Sequence, residues 1–274
     1  MSEAKIISNS KYPVTKKSII RDLKEGGVRA GSTVIVHSSL SSLGWVCGGP
    51  ISLIQALMNV ITTEGNIIMP GHSGEYSDPI YWGNPPVPED WWDIIKDEMP
   101  AYQPEITPVR GVGLVPETFR KFPDVLRSSH PCVSFTAWGK NAEDIVSDHT
   151  YDYSLGEDSP LEKIYQMNGY ILLIGVDHFS NTSLHLAECK ANYPKEIKNF
   201  GSPVLQEGKR IWINYHDIDF DTDDFNKVGK EYEKVGEYKK FRIGHTEALL
   251  IPQKELVDFA VLWFEKHRKL KNTK

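Results

Sequence analysis

Three cysteines, Cys47, Cys132 and Cys189, are too few and too unevenly spaced for a disulfide framework or a four-thiolate zinc site. No stretch approaches the roughly 18–20 consecutive apolar residues of a membrane span, and the first residues are polar, without a signal-type apolar segment. The expectation is a cytoplasmic protein with free thiols and no membrane partner. Positive charge is scarce as well: 31 Lys and Arg against 37 Asp and Glu leave a net charge of -6, which argues against a nucleic-acid partner. Gly-Lys-Ser/Thr and Gly-x-Gly-x-x-Gly are both absent, which removes the Walker A loop and the dinucleotide fingerprint. What remains is a chain of 274 residues with 40% apolar content, enough to bury a large core, with no repeat and no low-complexity linker. One domain over 1–274 with an irregular insertion is the simplest organisation.

Thr15 suits an N-cap for a helix over 16–25, whose Ile19, Ile20 and Leu23 recur at helical spacing before Gly26 and Gly27. The β-branched run 33–37 reads as a buried strand. A helix from Pro50 follows, with Ile51, Ile54, Leu57, Met58 and Ile61 on its buried face, and then a strand over 66–69. That order predicts a layered α/β fold, with the helix crossing over one face of a sheet. Seven prolines and three tryptophans between 71 and 108 mark a long excursion, either a binding element or a loop packed down by its own aromatics. Further on, the patterns predict helices over 114–121 and 160–167, and strands over 134–138 and 170–176. A helix over 182–192 and a β-rich stretch over 203–250 follow. The closing helix carries Leu256, Phe259, Ala260 and Trp263 on its core face.

Four polar groups could carry chemistry. The loop from His37 to Gly49 joins a strand to a helix N-terminus and is rich in serine and glycine, so its amides and the helix end could receive a phosphate; a plain connection is the alternative. In Asn181-Thr-Ser-Leu-His-Leu-Ala-Glu188, His185 and Glu188 stand three apart on one helical face after a core strand, where open α/β sheets bind ligands. An imidazole beside a carboxylate is an oriented general base, although such pairs also decorate ordinary surface helices. A metal reading through His185, Glu188 and His178 or His72 matches no zinc spacing. Arg127 could pair with phosphate and His130 could line a pocket, or Pro131 could simply fix a turn there. The acids Asp217, Asp219, Asp221, Asp223 and Asp224 could receive ammonium groups, or form a solvated loop. Cys189 reads as a small buried residue rather than a nucleophile.

Taken in order, several blocks together resemble the aminoglycoside 3-N-acetyltransferase family over nearly the whole chain. They are VHSSLSSLG at 36–44, MP at 69–70, TPVRGVG at 107–113, RSSHPCVSF at 127–135, GEDSPL at 156–161, and LIGV at 173–176 running into NTSLHLAE at 181–188. The resemblance implies a three-layer α/β/α fold with a mixed sheet, an irregular insertion and a β-rich C-terminal part. It implies an acetyl-CoA-dependent N-acetyltransferase acting on a small-molecule amine, the 3-amino group of an aminoglycoside, as monomer or homodimer. Coenzyme A would lie on His37, Ser38, Ser39, Leu40, Ser41, Ser42, Leu43 and Gly44, with Ser73, Thr107, Val109, Arg110, Gly111 and Val112 along its arm. His185 would be the catalytic base with Glu188 as its partner. Glu75, Tyr76 and Asp78 would meet the acceptor, and no metal would take part.

Overall fold

The computed structural model describes residues 2–269. Helices α1 (Glu3–Asn9) and α2 (Lys16–Glu25) precede the unit β1 (Thr33–Ser38), α3 (Gly49–Ile61) and β2 (Asn66–Pro70). The 71–108 segment contains one α-helix, α4 (Trp92–Glu98), among single helical turns. Then follow α5 (Leu114–Phe119), β3 (Leu126–Arg127), β4 (Phe135–Gly139), α6 (Ala142–Val146), α7 (Pro160–Gln166), β5 (Tyr170–Ile174) and α8 (Ser183–Lys190). The last part is the hairpin β6 (Ile197–Gln206) and β7 (Lys209–Ile218), then α9 (Phe225–Tyr232), β8 (Lys239–Ile243), β9 (Thr246–Pro252) and α10 (Gln253–His267).

Seven strands form a mixed sheet in the order β3-β4-β2-β1-β5-β9-β8. Its centre is parallel, with β1 beside β2 from Thr33↔Asn66 and beside β5 from Val34↔Tyr170, while the flanking strands run antiparallel. Alternation along these strands builds two cores, because successive side chains point to opposite faces. Val34, Val36, Ile67, Met69, Leu172 and Ile174 pack under α2, α3 and α5 through Ile19, Leu23, Leu53, Leu57 and Phe119. Ile35, Ile68, Ile171, Leu173 and Ile251 face α8, α9 and α10 through Leu184, Phe225, Val257 and Phe264. The α/β/α layering is therefore as the sequence indicates, and at α2 the cap is too. The Ser18 amide donates to Thr15 Oγ1 at 3.2 Å, and the Thr15 amide donates back to Ser18 Oγ at 3.0 Å.

Several local expectations differ. Helix α3 packs against α2, α5 and β2, so its buried positions are Leu53, Ile54, Ala56, Leu57, Val60 and Ile61; Ile51, in the first turn, is 49% exposed. The 203–250 stretch is interrupted by α9, whose Phe225, Val228, Gly229 and Tyr232 are buried at helical spacing. The 71–108 excursion is held down on the β6–β7 hairpin. Tyr102 N donates to Pro203 O at 2.9 Å, Tyr81 Oη to Asn199 O at 3.0 Å and Arg210 Nε to Met99 O at 2.9 Å, and the Tyr81 and Phe200 rings lie 4.8 Å apart. Arg127 is no phosphate ligand. Its guanidinium donates to Ser134 Oγ, Pro104 O, Thr107 O, Gly71 O and Ser73 Oγ, which ties the excursion to the end of the sheet.

The end of β4 approaches the preceding chain so closely that only glycine fits. Gly139 has φ +118°, and a Cβ there would sit 1.9 Å from Gly65 O. Gly139→Ala is expected to destabilise the fold by at least about 2 kcal/mol, through backbone strain and lost pairing with β2. Urea unfolding with an unchanged midpoint would contradict the role assigned to this contact.

Candidate functional site

The carboxyl ends of β1 and β5 open into a cavity of about 870 Å³, in the crevice where ligands gather in α/β sheets. One wall is the chain leaving β1, with His37, Ser38, Ser39, Leu40, Ser41 and Gly44, together with Gly49 and Pro50 at the head of α3. The opposite wall is Gly111, Val112 and Gly113 with Leu114 and Pro116, and Phe179, Ser180 and Thr182 lead into α8. Gly44 has φ +89°, and a Cβ there would fall 2.3 Å from the His245 ring, so the loop turns at the one residue type that permits it.

The remaining expected cofactor contacts shape the cavity without lining it. Leu43 is fully buried in the core, and Ser42 Oγ donates to Ser39 Oγ at 2.8 Å and to Gly175 O at 3.2 Å. Ser73 Oγ donates to Pro108 O at 2.6 Å, and Thr107 Oγ1 accepts from Gln103 N at 3.0 Å. Val109 N donates to Glu117 Oε2 at 2.8 Å, and Arg110 pairs with Glu75 at 3.1 Å. The 107–113 segment therefore offers the cavity its glycines and Val112, while Thr107, Val109 and Arg110 are engaged by Gln103, Glu117 and Glu75.

One turn into α8 beyond Thr182, His185 Nδ1 is hydrogen-bonded to Glu188 Oε2. The carboxylate is wholly buried and also accepts from Asp221 N at 3.0 Å and from the Arg268 guanidinium. An ionised carboxylate only accepts, so Nδ1 carries a hydrogen and Nε2 is the ring nitrogen left for a ligand. Phe220 and Phe225 hold the ring, each with its centroid 4.8 Å away. His185 is not itself among the residues that line the cavity; two other imidazoles are, His37 at the end of β1 and His72 after β2. Burial first, and the nearby His185 second, hold both down to about 3, so they are neutral at physiological pH. The Nε2 atoms of both are buried without a hydrogen-bond partner among the described residues.

The acceptor-side residues of the excursion are less available. Asp78 pairs with Lys96 at 2.7 Å and Glu75 with Arg110, while the Tyr76 ring meets Tyr102 edge-on at 6.1 Å. The acidic run is only partly internal: Asp217 Oδ2 accepts from the Ser154 amide at 3.1 Å and Asp224 is forked by Arg268, while Asp219 and Asp223 are exposed. Sequence reasoning missed a second cavity, of about 720 Å³, where Asp152, Glu157 and Asp158 stand among Tyr151 and Tyr153, with Cys189 and Lys190 of α8 on its wall. Its only signal was the alternation of tyrosine and acid in 151–158. Burial pushes the Cys189 thiol up, so it is not a nucleophile. His178 Nε2 pairs with Glu233 at 3.1 Å, which takes it out of any set with His185, and His130 is buried with its Nδ1 accepting from the Cys132 and Val133 amides.

His37, His72, His130 and His149 share one property: burial holds each below its ordinary 6.5, to about 3 for the first two and about 4 for His149. Below pH 6.5 the unfolded chain binds protons that the folded chain refuses. Stability is therefore fully present above about 6.5 and is lost as pH falls toward 4, each histidine contributing up to about 1.4 kcal/mol per pH unit. Unfolding free energies measured between pH 7 and 4.5 should show this slope, reduced in His130→Gln; a flat profile would contradict the buried neutral state.

A family model described as aminoglycoside 3-N-acetyltransferase matches residues 35–265. The chain is 49% identical over 261 residues to the SPbeta prophage-derived aminoglycoside N(3')-acetyltransferase-like protein YokD of Bacillus subtilis (strain 168), covering 95% of this chain and 96% of the relative. Among solved structures, AAC-IIIb in a binary complex with CoASH is similar with a TM-score of 0.85 and 27% identity, covering 96% of this chain and 100% of that one. AAC-VIa bound to sisomicin is similar with a TM-score of 0.85 and 28% identity, covering 94% and 99%. The match spans the sheet, both helical layers, the cavity and the His185–Glu188 pair, and the chain belongs to the aminoglycoside 3-N-acetyltransferase family.

Proposed function

We propose that this protein transfers the acetyl group of acetyl-CoA directly to an amine, the 3-amino group of a 2-deoxystreptamine aminoglycoside, with His185 as the proton acceptor. The observation that carries this reading is the His185 ring, fixed through Nδ1 by a buried carboxylate while Nε2 makes no hydrogen bond among the described residues. An aminoglycoside nitrogen arrives as an ammonium ion and has no lone pair until a proton leaves. Nε2 takes that proton, and the amine then attacks the thioester carbonyl. As the tetrahedral intermediate collapses, the C–S bond breaks, the departing thiolate takes the proton of the imidazolium, and the imidazole so regenerated passes the second proton of the acylated nitrogen to solvent. A step of this kind contributes on the order of 10²–10⁴ in rate.

Coenzyme A fits the larger cavity. Its small loop residues and the head of α3 favour a pyrophosphate, and the strip from Gly111 to Gly113 leaves room for the pantetheine arm. The developing oxyanion needs a donor that is not already engaged. The Ser39 amide is committed to Ile174 O and the Ser73 hydroxyl to Pro108 O, so neither serves. The unpartnered Nε2 positions of His37 and His72 remain, as neutral N–H donors. A polycationic aminosugar finds its acids at Asp152, Glu157 and Asp158 of the second cavity, one turn further along α8 than His185, and that attraction weakens with salt. An enzyme that consumes acetyl-CoA works where that compound is made and used, in the cytoplasm.

A second reading keeps the cofactor and changes the acceptor. It is favoured by the pairing of Asp78 and Glu75 with cations of the protein itself, and by the 49% identity to a relative named only acetyltransferase-like. Thiol release from acetyl-CoA over a panel of aminoglycosides and simpler amines, with the acetylated nitrogen located by NMR, separates the two: acetyl at N3 supports the first, and turnover confined to other amines supports the second. His185→Ala is expected to lower kcat by roughly a hundredfold or more while calorimetry shows unchanged coenzyme A affinity. Normal turnover of that variant would remove His185 from the mechanism. Ser38→Trp should instead weaken coenzyme A binding first, and unchanged affinity would count against the loop as its seat.

A further inference from the structure

We infer that Arg268, the residue that follows α10, is a positioning residue for the transfer: it holds the Glu188 carboxylate so that the other carboxylate oxygen fixes the His185 ring. The inference rests on the reading of His185 as the base. Glu188 is wholly buried and divides its two oxygens, Oε2 to His185 Nδ1 and Oε1 to Arg268 Nη1 and the Asp221 amide. Without the guanidinium, the carboxylate would keep one backbone donor and the imidazole, and either of two rotations would satisfy it. With it, the plane of the carboxylate is set from behind.

Arg268 is itself held in place. Nε and Nη2 fork onto Asp224 at 2.9 and 2.5 Å, Nη2 also donates to Asp221 O at 2.7 Å, and Nη1 donates to Tyr193 Oη at 3.1 Å. The guanidinium lies 3.9 Å from the Phe264 ring centroid, and the Arg268 amide closes α10 on Phe264 O at 2.8 Å. Burial disfavours its charge, but the Asp224 hydrogen bonds and the Glu188 charge outweigh that and raise its pKa. A planar fork that satisfies two carboxylates at once is a task lysine does not reproduce. The arrangement also divides the charge of Glu188. One oxygen faces the permanent cation and the other faces the ring. The other ionisable groups near the ring are Asp217 of β7, His37 and His72.

The test compares the full-length protein with Arg268→Gln and Arg268→Lys, using acetyl-CoA and sisomicin as substrates. His185 Nδ1–H should give a downfield proton NMR resonance, identified by its loss in His185→Ala. Arg268→Gln is expected to broaden or abolish it and to lower kcat by about tenfold or more, a range typical of groups that orient a reacting side chain, with KM for acetyl-CoA unchanged. Arg268→Lys should restore part of both. An Arg268→Gln variant that keeps the resonance and kcat overturns the proposal, as does one that loses the resonance yet turns over normally. If Arg268→Gln does not fold, Arg268→Lys carries the test, since it keeps the charge but not the planar fork; a resonance and kcat there equal to those of the unaltered protein also overturn it. Because the resonance is read without turnover, failure of sisomicin as acceptor leaves this result standing and strikes only the function proposed for the site.

Discussion

One buried carboxylate organises the chemistry of this protein. Glu188 has no exposed surface, and a charge so placed is stable only when its oxygens are met by donors of good geometry. The three donors come from separate parts of the chain: His185 from the same helix, the Asp221 amide from the loop after β7, and Arg268 from the end of α10. The same contact that makes the carboxylate tolerable in the interior fixes the tautomer of the imidazole. Stability of the C-terminal layer and orientation of the His185 ring are thus one arrangement, and a change that loosens either loosens both.

The sheet supplies the rest of the geometry. Because β1 and β5 are parallel neighbours, their carboxyl ends lie side by side, and the chains that leave them, toward α3 and α8, diverge around a common space. One contributes serine and glycine backbone, and the other brings in the helix that bears His185. Covering both faces with helices buries His37 at the edge of that space, and burial keeps it neutral. A neutral imidazole adds no positive charge to the cavity. The layering therefore sets the electrostatics of the cavity as well as its shape.

How much of this was legible in the sequence depends on how far apart the partners are. The Thr15 cap, the β1–α3–β2 unit and the His185–Glu188 pair are local, encoded within a few residues, and they stand as read. The Glu188–Arg268 contact joins residues 80 apart, and no periodicity announces it. Arg127 stays open in the sequence between a phosphate partner and part of a turn, because an arginine among serines and histidine is ambiguous until the fold shows five backbone and hydroxyl acceptors around it. Helix α9 was hidden behind the acidic run that precedes it and by Gly229 within it. That glycine lets the helix meet the His178 ring, where a Cβ would stand 2.0 Å away. The blocks shared with the acetyltransferase family carried the fold and the reaction class further than spacing alone, and the matching family model extends from 35 to 265.

The claim at the centre is that His185, oriented by Glu188, takes the proton from the attacking amine. The most direct measurement is a structure of the ternary complex with coenzyme A and sisomicin. The account predicts the 3-amino nitrogen of the acceptor within about 2.6–3.2 Å of His185 Nε2, with Nδ1 still on Glu188. An acceptor whose 3-amino group faces away from Nε2, or an imidazole turned so that Nδ1 leaves Glu188, would contradict it.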